Sequence, residues 1–468
     1  MRLSKDVFLC IALPGLLLLS GCTMAPQYER PAAPIPSEWS DTGETVGSVS
    51  DLSWQQFFND PALERLISLA LEQNRDLQVA NLNVEQLAAR YQIEKSVLLP
   101  ALDATSSWSR ERVPADLSST GQANTSSVFT VGGAITSYEL DFFGRVRSLK
   151  NQALETYLAS DEARLSYEIN TISSVAKQYF AVLALQQQLD LTAEAAQLAR
   201  QSYELNQQTF DAGAGSELDL RASEARLRSL ESNVAALKMR VAQAKNALVF
   251  LVGAPLPADL SLSRNLGSFS LMENLPAGLP SDLLTRRPDI RATEHNLLAA
   301  NAYIGAARAA FFPSIRLTAF GGTASQELEG LFEDGSGMWS FAPSISVPIF
   351  NNGRNRATLD IAKISKKIEI ANYEKSIQNA FREVSDALVA REYIDEQLKA
   401  QQAQVEAADR SYVLSTQLYQ AGSESYFTVL VAEQERISAE LSLVQARLLR
   451  LTNLTSLFAA LGGGWESS

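Results

Sequence analysis

GRVR at residues 144–147 and GRNR at residues 353–356 stand 209 positions apart, and the chain keeps that interval elsewhere. Ser202-Tyr203 answers to Ser411-Tyr412, Ala212-Gly213 to Ala421-Gly422, and Gly253 to Gly462. Upstream, NRDL at 74–77 and Pro100 answer to RPDI at 287–290 and Pro313, at an interval of 213. An interval held by glycines, prolines and aromatics over most of a chain marks tandem copies of one structural unit. The first copy is read as residues 51–260 and the second as 261–466, with 467–468 left as a C-terminal end.

Each copy reads as a helix, two strands and a long helical hairpin. Asp60-Pro61 starts a helix, because Asp caps and Pro suits the first helical position, where its missing N–H is not needed. That helix is predicted to run to Leu99, since Pro100 pushes its predecessor out of the helical region, as Pro313 does to Phe312. Strands are predicted at 101–110 and 127–141, and at 315–324 and 339–350. In the last, Trp339, Phe341, Pro343, Ile345, Val347 and Ile349 alternate with Ser340, Ala342, Ser344 and Ser346, while Pro343 and Pro348 argue against a central strand.

After Gly144 no strong breaker occurs until Ala212-Gly213, which predicts a helix of about 65 residues, roughly 100 Å long. The hairpins, 145–253 and 354–462, carry apolar residues at coiled-coil spacing. Ile172, Val175, Tyr179 and Val182 form one stripe, and Leu230, Val234, Leu237 and Val241 another. In the second copy Ile437, Leu441, Val444, Leu448 and Leu451 keep the rhythm without superposing on the first copy's stripe. The two copies are therefore expected to pack in similar but unequal surroundings.

The N-terminus reads as a targeting segment, 1–21: Arg2 and Lys5 precede an apolar run from Val7 to Leu19, too short to span a bilayer. Leu19-Ser20-Gly21-Cys22 resembles the lipobox of bacterial lipoproteins, which implies a lipidated Cys22, and Thr23 after it resembles sorting to the outer membrane. Cleavage removes Cys10, and acylation occupies Cys22, so no disulfide is expected. Residues 22–50, with Pro26, Pro31, Pro34 and Pro36, read as an extended lipidated tether. The formal charge of -13, without a basic block, speaks against a nucleic-acid partner.

Four short strands cannot close a barrel, and an open strand edge cannot face lipid because its backbone groups would have no partners. Copies of the chain must therefore pool strands, and a trimer, with twelve, is the smallest multiple expected to leave an open lumen. The fold class is mixed: all-α plus a membrane β-barrel. WQQFFNDP at 54–61, NRDL at 74–77, YELDFFGR at 138–145, LTRRPDI at 284–290 and LGGGW at 461–465 make the chain similar to the outer-membrane factor family. Within it, the chain resembles the lipoprotein exit ducts of TolC and OprM type. The resemblance implies a homotrimer, a 12-stranded barrel continuous with a periplasmic α-helical barrel, and an equatorial mixed domain. It also implies work with a periplasmic adaptor protein and an inner-membrane RND-type transporter in drug efflux. Two alternatives stand beside that function: an exit duct for type I polypeptide secretion, and a lipid-anchored periplasmic coiled-coil scaffold without a pore.

No catalytic constellation, cofactor motif or metal motif accompanies this organisation, and His295 is the single histidine, so no enzyme is expected. Trp108, Tyr138 and Trp339 fit a membrane-interface belt, and the loops 111–126 and 325–338 are expected outside the cell. The hairpin turns are predicted to be periplasmic tips that dock the adaptor, built on Asp211, Gly213, Gly215 and Ser216 in the first copy and on Ala421, Gly422 and Ser423 in the second. Ser216 opens a capping-box-like helix start, and Ser423 is expected to cap its own helix. Gate candidates beside the second tip are Tyr419, Glu424, Phe427 and Val431, an acidic ring followed by an apolar constriction.

Overall fold

The computed structural model describes residues 23–36, 53–257, 265–269, 271 and 280–463. The signal segment, Cys22 and Trp465 lie outside the described residues. The elements are α1 (Trp54–Phe57), α2 (Pro61–Gln73), α3 (Arg75–Ser96), β1 (Asp103–Val113), β2 (Asn124–Leu140), α4 (Arg145–Asp211) and α5 (Glu217–Val252), then α6 (Leu283–Arg286), α7 (Pro288–Ala309), β3 (Ser314–Ser325), β4 (Gly337–Ser346), α8 (Arg354–Gln420) and α9 (Tyr426–Ala460). Helices α4 and α8 have 67 residues each. Gly144, Gly213 and Gly253 all take positive φ, and so do Gly353, Gly422 and Gly462, their counterparts in the second copy. The same three left-handed breaks thus punctuate both hairpins, where a Cβ would be strained.

The described residues divide into two compact units, one containing residues 23–32, 83–160 and 292–373, the other 53–82, 161–257, 280–291 and 374–463. The first contains a four-stranded antiparallel sheet in the order β1-β2-β3-β4. Asp103 faces Ala134 and Val113 faces Asn124; Phe129 faces Ser325 and Leu140 faces Ile315, with a register shift between Ile135 and Tyr138; Ser314 faces Ser346. Strands β1 and β2 run further toward their loop than the composition suggests, because Arg110 to Val113 and Asn124 to Ser127 complete the ladder despite their polar side chains. Pro343 lies in β4, an outer strand, where its missing donor costs no internal bond.

At the corner between β2 and α4 the side chains do the capping. The Asp141 carboxylate accepts from the Val146 and Arg147 amides, and Arg145 reaches Glu139 through two bonds of 2.7 Å. Burial is offset by that bidentate contact, which holds the Arg145 guanidinium in its charged form.

The N-terminal segment is not a free tether where it is described: residues 24–30 lie along one face of α7. Arg308 donates to the Met24 carbonyl at 3.0 Å and Asn301 to the Pro26 carbonyl at 2.9 Å. A Cβ on Gly305 would stand 2.8 Å from the Ala25 nitrogen, so glycine admits the strap there. Glu294 accepts from the Tyr28 hydroxyl at 3.0 Å and from Arg30 through two bonds of 2.7 Å. Burial, with the Glu294 carboxylate beside it, pushes the Tyr28 hydroxyl above its ordinary range. Glu294→Gln keeps the shape and removes the charge, so strap release should become easier by about 1–2 kcal/mol. Proteinase K cleavage within residues 23–36 should then be roughly tenfold faster; an unchanged rate would mean that the backbone contacts alone hold the strap.

In the second unit Phe57 stacks on Phe458 with ring centres 4.3 Å apart, and Phe58 meets both rings edge-on. The expected single helix from 61 to 99 is two helices here. The Asn74 side chain accepts from the Leu77 amide, opening α3, and donates to the Leu251 carbonyl. A side chain that competes with the backbone breaks the helix without a proline or glycine. The second copy breaks at Arg287, which is buried and bonded to Asp289, Glu383 and the Ala460 carbonyl.

Candidate functional site: hairpin tips and sheet face

Both hairpin turns close with the same hydrogen bonds. Gly213 donates to the Phe210 carbonyl and Ala214 to Thr209; Gly422 donates to the Tyr419 carbonyl and Ser423 to Leu418. These are paired bonds of a Schellman ending, with the glycine in the left-handed conformation the motif needs. Gly215 serves differently: its φ is not positive, but a Cβ would stand 2.8 Å from the Phe210 nitrogen, so the turn folds back too tightly for a side chain. Asp211 accepts from Gln207 at 2.9 Å and remains exposed.

Ser216 caps α5 by accepting from the Leu218 amide at 3.1 Å. Asp219 does not complete a reciprocal box with it, in contrast to Gln56 with Ser53. The cap of α9 is Ser425, not Ser423, and it makes no side-chain cap bond. Ser423 is drawn into the Schellman ending of α8 instead, which leaves two more residues of turn before the helix can start.

The second tip is aromatic. The Tyr419 and Tyr426 rings are 5.5 Å apart, and Glu424 accepts from Thr428 at 3.2 Å. Tyr426 is buried; burial pushes its hydroxyl upward, partly opposed by a hydrogen bond with Ser202. Phe427 and Val431, one helical turn apart, project from the other side of α9 with 68% and 41% exposure.

On the sheet, Trp108 faces Phe129 with the rings stacked at 5.9 Å. Register places Trp108, Phe129, Trp339, Phe341 and Ile345 on one face, because Ala104, Gly133, Gly321 and Trp339 share a row. Trp339 is 80% exposed. The other face of β4 carries Ser340, Ala342, Ser344 and Ser346. Tyr138 lies apart from these rings, donating to the Leu98 carbonyl at 2.9 Å. His295 pairs with Glu155 at 2.7 Å.

Sequence reading gave no sign of the Glu294 anchor or of the bonds from Arg287 to Glu383 and the Ala460 carbonyl, since those contacts join positions far apart in the chain.

A four-stranded sheet with Trp108, Phe129, Trp339, Phe341 and Ile345 on one face, in a chain with two long helical hairpins, is the construction of an outer-membrane duct. Residues 66–254 and 279–463 match the family described as outer membrane efflux protein. The chain belongs to that family, one of transport ducts rather than enzymes, and its place is the outer membrane. It is 46% identical to the solvent efflux pump outer membrane protein SrpC of Pseudomonas putida, over 97% of this chain and 98% of that one. It is 39% identical to the outer membrane protein OprJ of Pseudomonas aeruginosa, over 99% and 97%. Among solved structures it is similar to the open state of the MtrE outer membrane channel of Neisseria gonorrhoeae, with 42% identity, a TM-score of 0.84 and coverage of 95% of this chain and 98% of that one.

Proposed function

We propose that three copies of the chain pool their sheets into a 12-stranded barrel, continuous with a helical barrel built from the hairpins, and that this trimer is a passive exit duct. The observation that carries the reading is the sheet itself. Both outer strands lack a partner along one edge among the described residues, and the apolar face of β4 is uncovered. An open edge beside lipid is unstable, and pairing β4 of one copy with β1 of the next removes it. Trp108 and Trp339 then meet the lipid interface, while the serine face lines the lumen.

The cargo proposed is organic solvents, antibiotics and similar small toxic molecules, delivered by an inner-membrane RND-type transporter and a periplasmic adaptor protein. Names of the relatives as solvent, toluene and antibiotic efflux proteins support this. Cys22 is the proposed lipidation site, and residues 211–216 and 421–423 are the proposed adaptor-docking tips. The domain limits proposed are those of the repeats, 51–260 and 261–466. Reconstitution in a planar bilayer tests the reading: stepwise, reproducible conductance is expected, and a silent bilayer with correctly folded protein would support the scaffold instead.

A further inference from the structure

The corner between β4 and α8 carries a group that its twin in the first copy lacks. Asn352 has a φ of 51°, the one positive value outside glycine among the described residues, and Gly353 follows with 82°. Across them the Arg354 amide donates to the Asn351 carbonyl at 3.1 Å. Positive φ at both central residues makes this a type I′ turn, for which Asn-Gly is the preferred pair. Asn-Gly occurs nowhere else in the chain. At the interval of 209 the first copy has Phe143 instead, whose ring stacks on Phe312 with centres 4.8 Å apart, so only the second corner bears a carboxamide.

That carboxamide is open to attack by its own backbone. Asn352 and Gly353 are exposed, and no hydrogen bond among the described residues engages the Asn352 side chain or the Gly353 amide. Nothing lies within 4 Å of the place where a Cβ on Gly353 would stand, so the peptide between the two residues has room to turn. Its rotation converts the type I′ turn into type II′ while the outer residues stay in place, and glycine takes the resulting negative φ without steric cost. The same rotation swings the Gly353 nitrogen toward the Asn352 Cγ. That nitrogen attacks only after losing its proton, and the start of α8, with Arg354 and Arg356 beside it, favours the negative charge.

We infer that Asn352 is a site of spontaneous deamidation through a cyclic succinimide. Hydroxide takes the Gly353 amide proton, and the nitrogen bonds to the Asn352 Cγ. The bond from Cγ to Nδ2 breaks, and the side-chain nitrogen leaves as ammonia with a proton from water. Water then opens the ring: breaking the bond from nitrogen to Cγ gives aspartate, and breaking that to the main-chain carbonyl carbon gives isoaspartate. One water is consumed and one ammonia released, with no change of oxidation state. The new carboxylate stands beside the first turn of α8, which has no acidic residue of its own, much as Asp141 stands at the start of α4. The fold therefore accepts the product's charge. The site does not depend on the duct reading, because the modification is measured without conduction.

The test incubates the folded full-length protein in phospholipid nanodiscs at about pH 7 and about pH 8, beside a synthetic peptide of residues 347–358. Peptide mapping by mass spectrometry follows the replacement of each amide by a carboxyl, and fragmentation separates isoaspartate from aspartate. Asn352 should convert at least about tenfold faster than every other asparagine of the chain, with isoaspartate as a main product. Its rate in the folded protein should lie within about threefold of that in the peptide, because the turn leaves the reacting atoms free. From the lower pH to the higher it should rise by about threefold or more, as the deprotonated amide becomes commoner. Gly353→Ala should slow it by about tenfold or more. The parent protein alone decides the matter if that variant folds poorly. Conversion of Asn352 no faster than that of the other asparagines, a folded rate tenfold or more below the peptide's, indifference to pH, or a folded Gly353→Ala protein that reacts at the parent rate would each overturn the assignment.

Discussion

Gly132→Val should remove the protein from the outer-membrane fraction, by at least about tenfold relative to the parent, while Gly321→Val, next to its cross-strand partner Gly322, should leave the amount unchanged. A Cβ on Gly132 would stand 2.5 Å from the Gly321 carbonyl oxygen and 2.8 Å from the Gly322 Cα, both backbone atoms of the neighbouring strand. It would also meet the Phe320 ring at 2.7 Å. Phe320 faces Ala134 in the ladder and reaches diagonally across to cover Gly132, so the ring supplies the contact that the glycine lacks. Backbone cannot rotate aside as a side chain can; the strands would have to separate, at a cost above the about 1–3 kcal/mol of ordinary overpacking. Gly322 is blocked in the same way by the Val131 carbonyl and the Gly132 Cα. Gly321 points to the other face, where nothing lies within 4 Å of its Cβ position. Immunoblots of membrane fractions read the difference directly, and equal amounts of both variants would show that the close strand approach is dispensable.

The contrast between these glycines explains what the sequence could disclose. Gly213 and Gly253 announce themselves because each ends a periodic helix, and Gly144 because one begins directly after it; all three recur in the second copy, so local chemistry and repetition point to the same breaks. Gly132 and Gly322 carry no such sign: their need for glycine comes from the backbone of a partner strand almost 200 residues away. Asn74 hid the break between α2 and α3 for a similar reason. Its local bond to Leu77 is available to any asparagine, and only the Leu251 carbonyl makes that conformation pay. Ser423 and Ser425 show the reverse error, in which a turn motif at the end of one helix consumed the residue that looked like the cap of the next. Among the proposed site residues, Phe427 and Val431 were legible as an apolar pair at helical spacing, but their direction depends on which face of α9 the rest of the chain claims.

That face is claimed completely. Tyr426, Val429, Ala432 and Glu433 are buried, and together they seat the first turns of α9 on their own chain, with Tyr426 joined to Ser202 of α4. Phe427 and Val431 are left on the opposite side, a bulky aromatic and a branched aliphatic residue that both remain exposed. Around the threefold axis of the proposed trimer, three such pairs would make an apolar ring just inside the tip, with Glu424 forming an acidic ring outside it. A narrow apolar ring resists conduction by excluding water, without a plug or a charge. Replacing Phe427 and Val431 together by alanine widens the ring and removes most of its apolar surface while sparing every buried contact of α9. Single-channel conductance should then rise by about threefold or more, and cells carrying the double variant should become sensitive to large antibiotics that the outer membrane normally excludes. Glu424→Gln should instead lower the preference for cations with little change in conductance, because its carboxylate supplies charge and not constriction. Unchanged conductance in the double variant, with normal amounts of protein in the membrane, would place the resting barrier elsewhere along the duct.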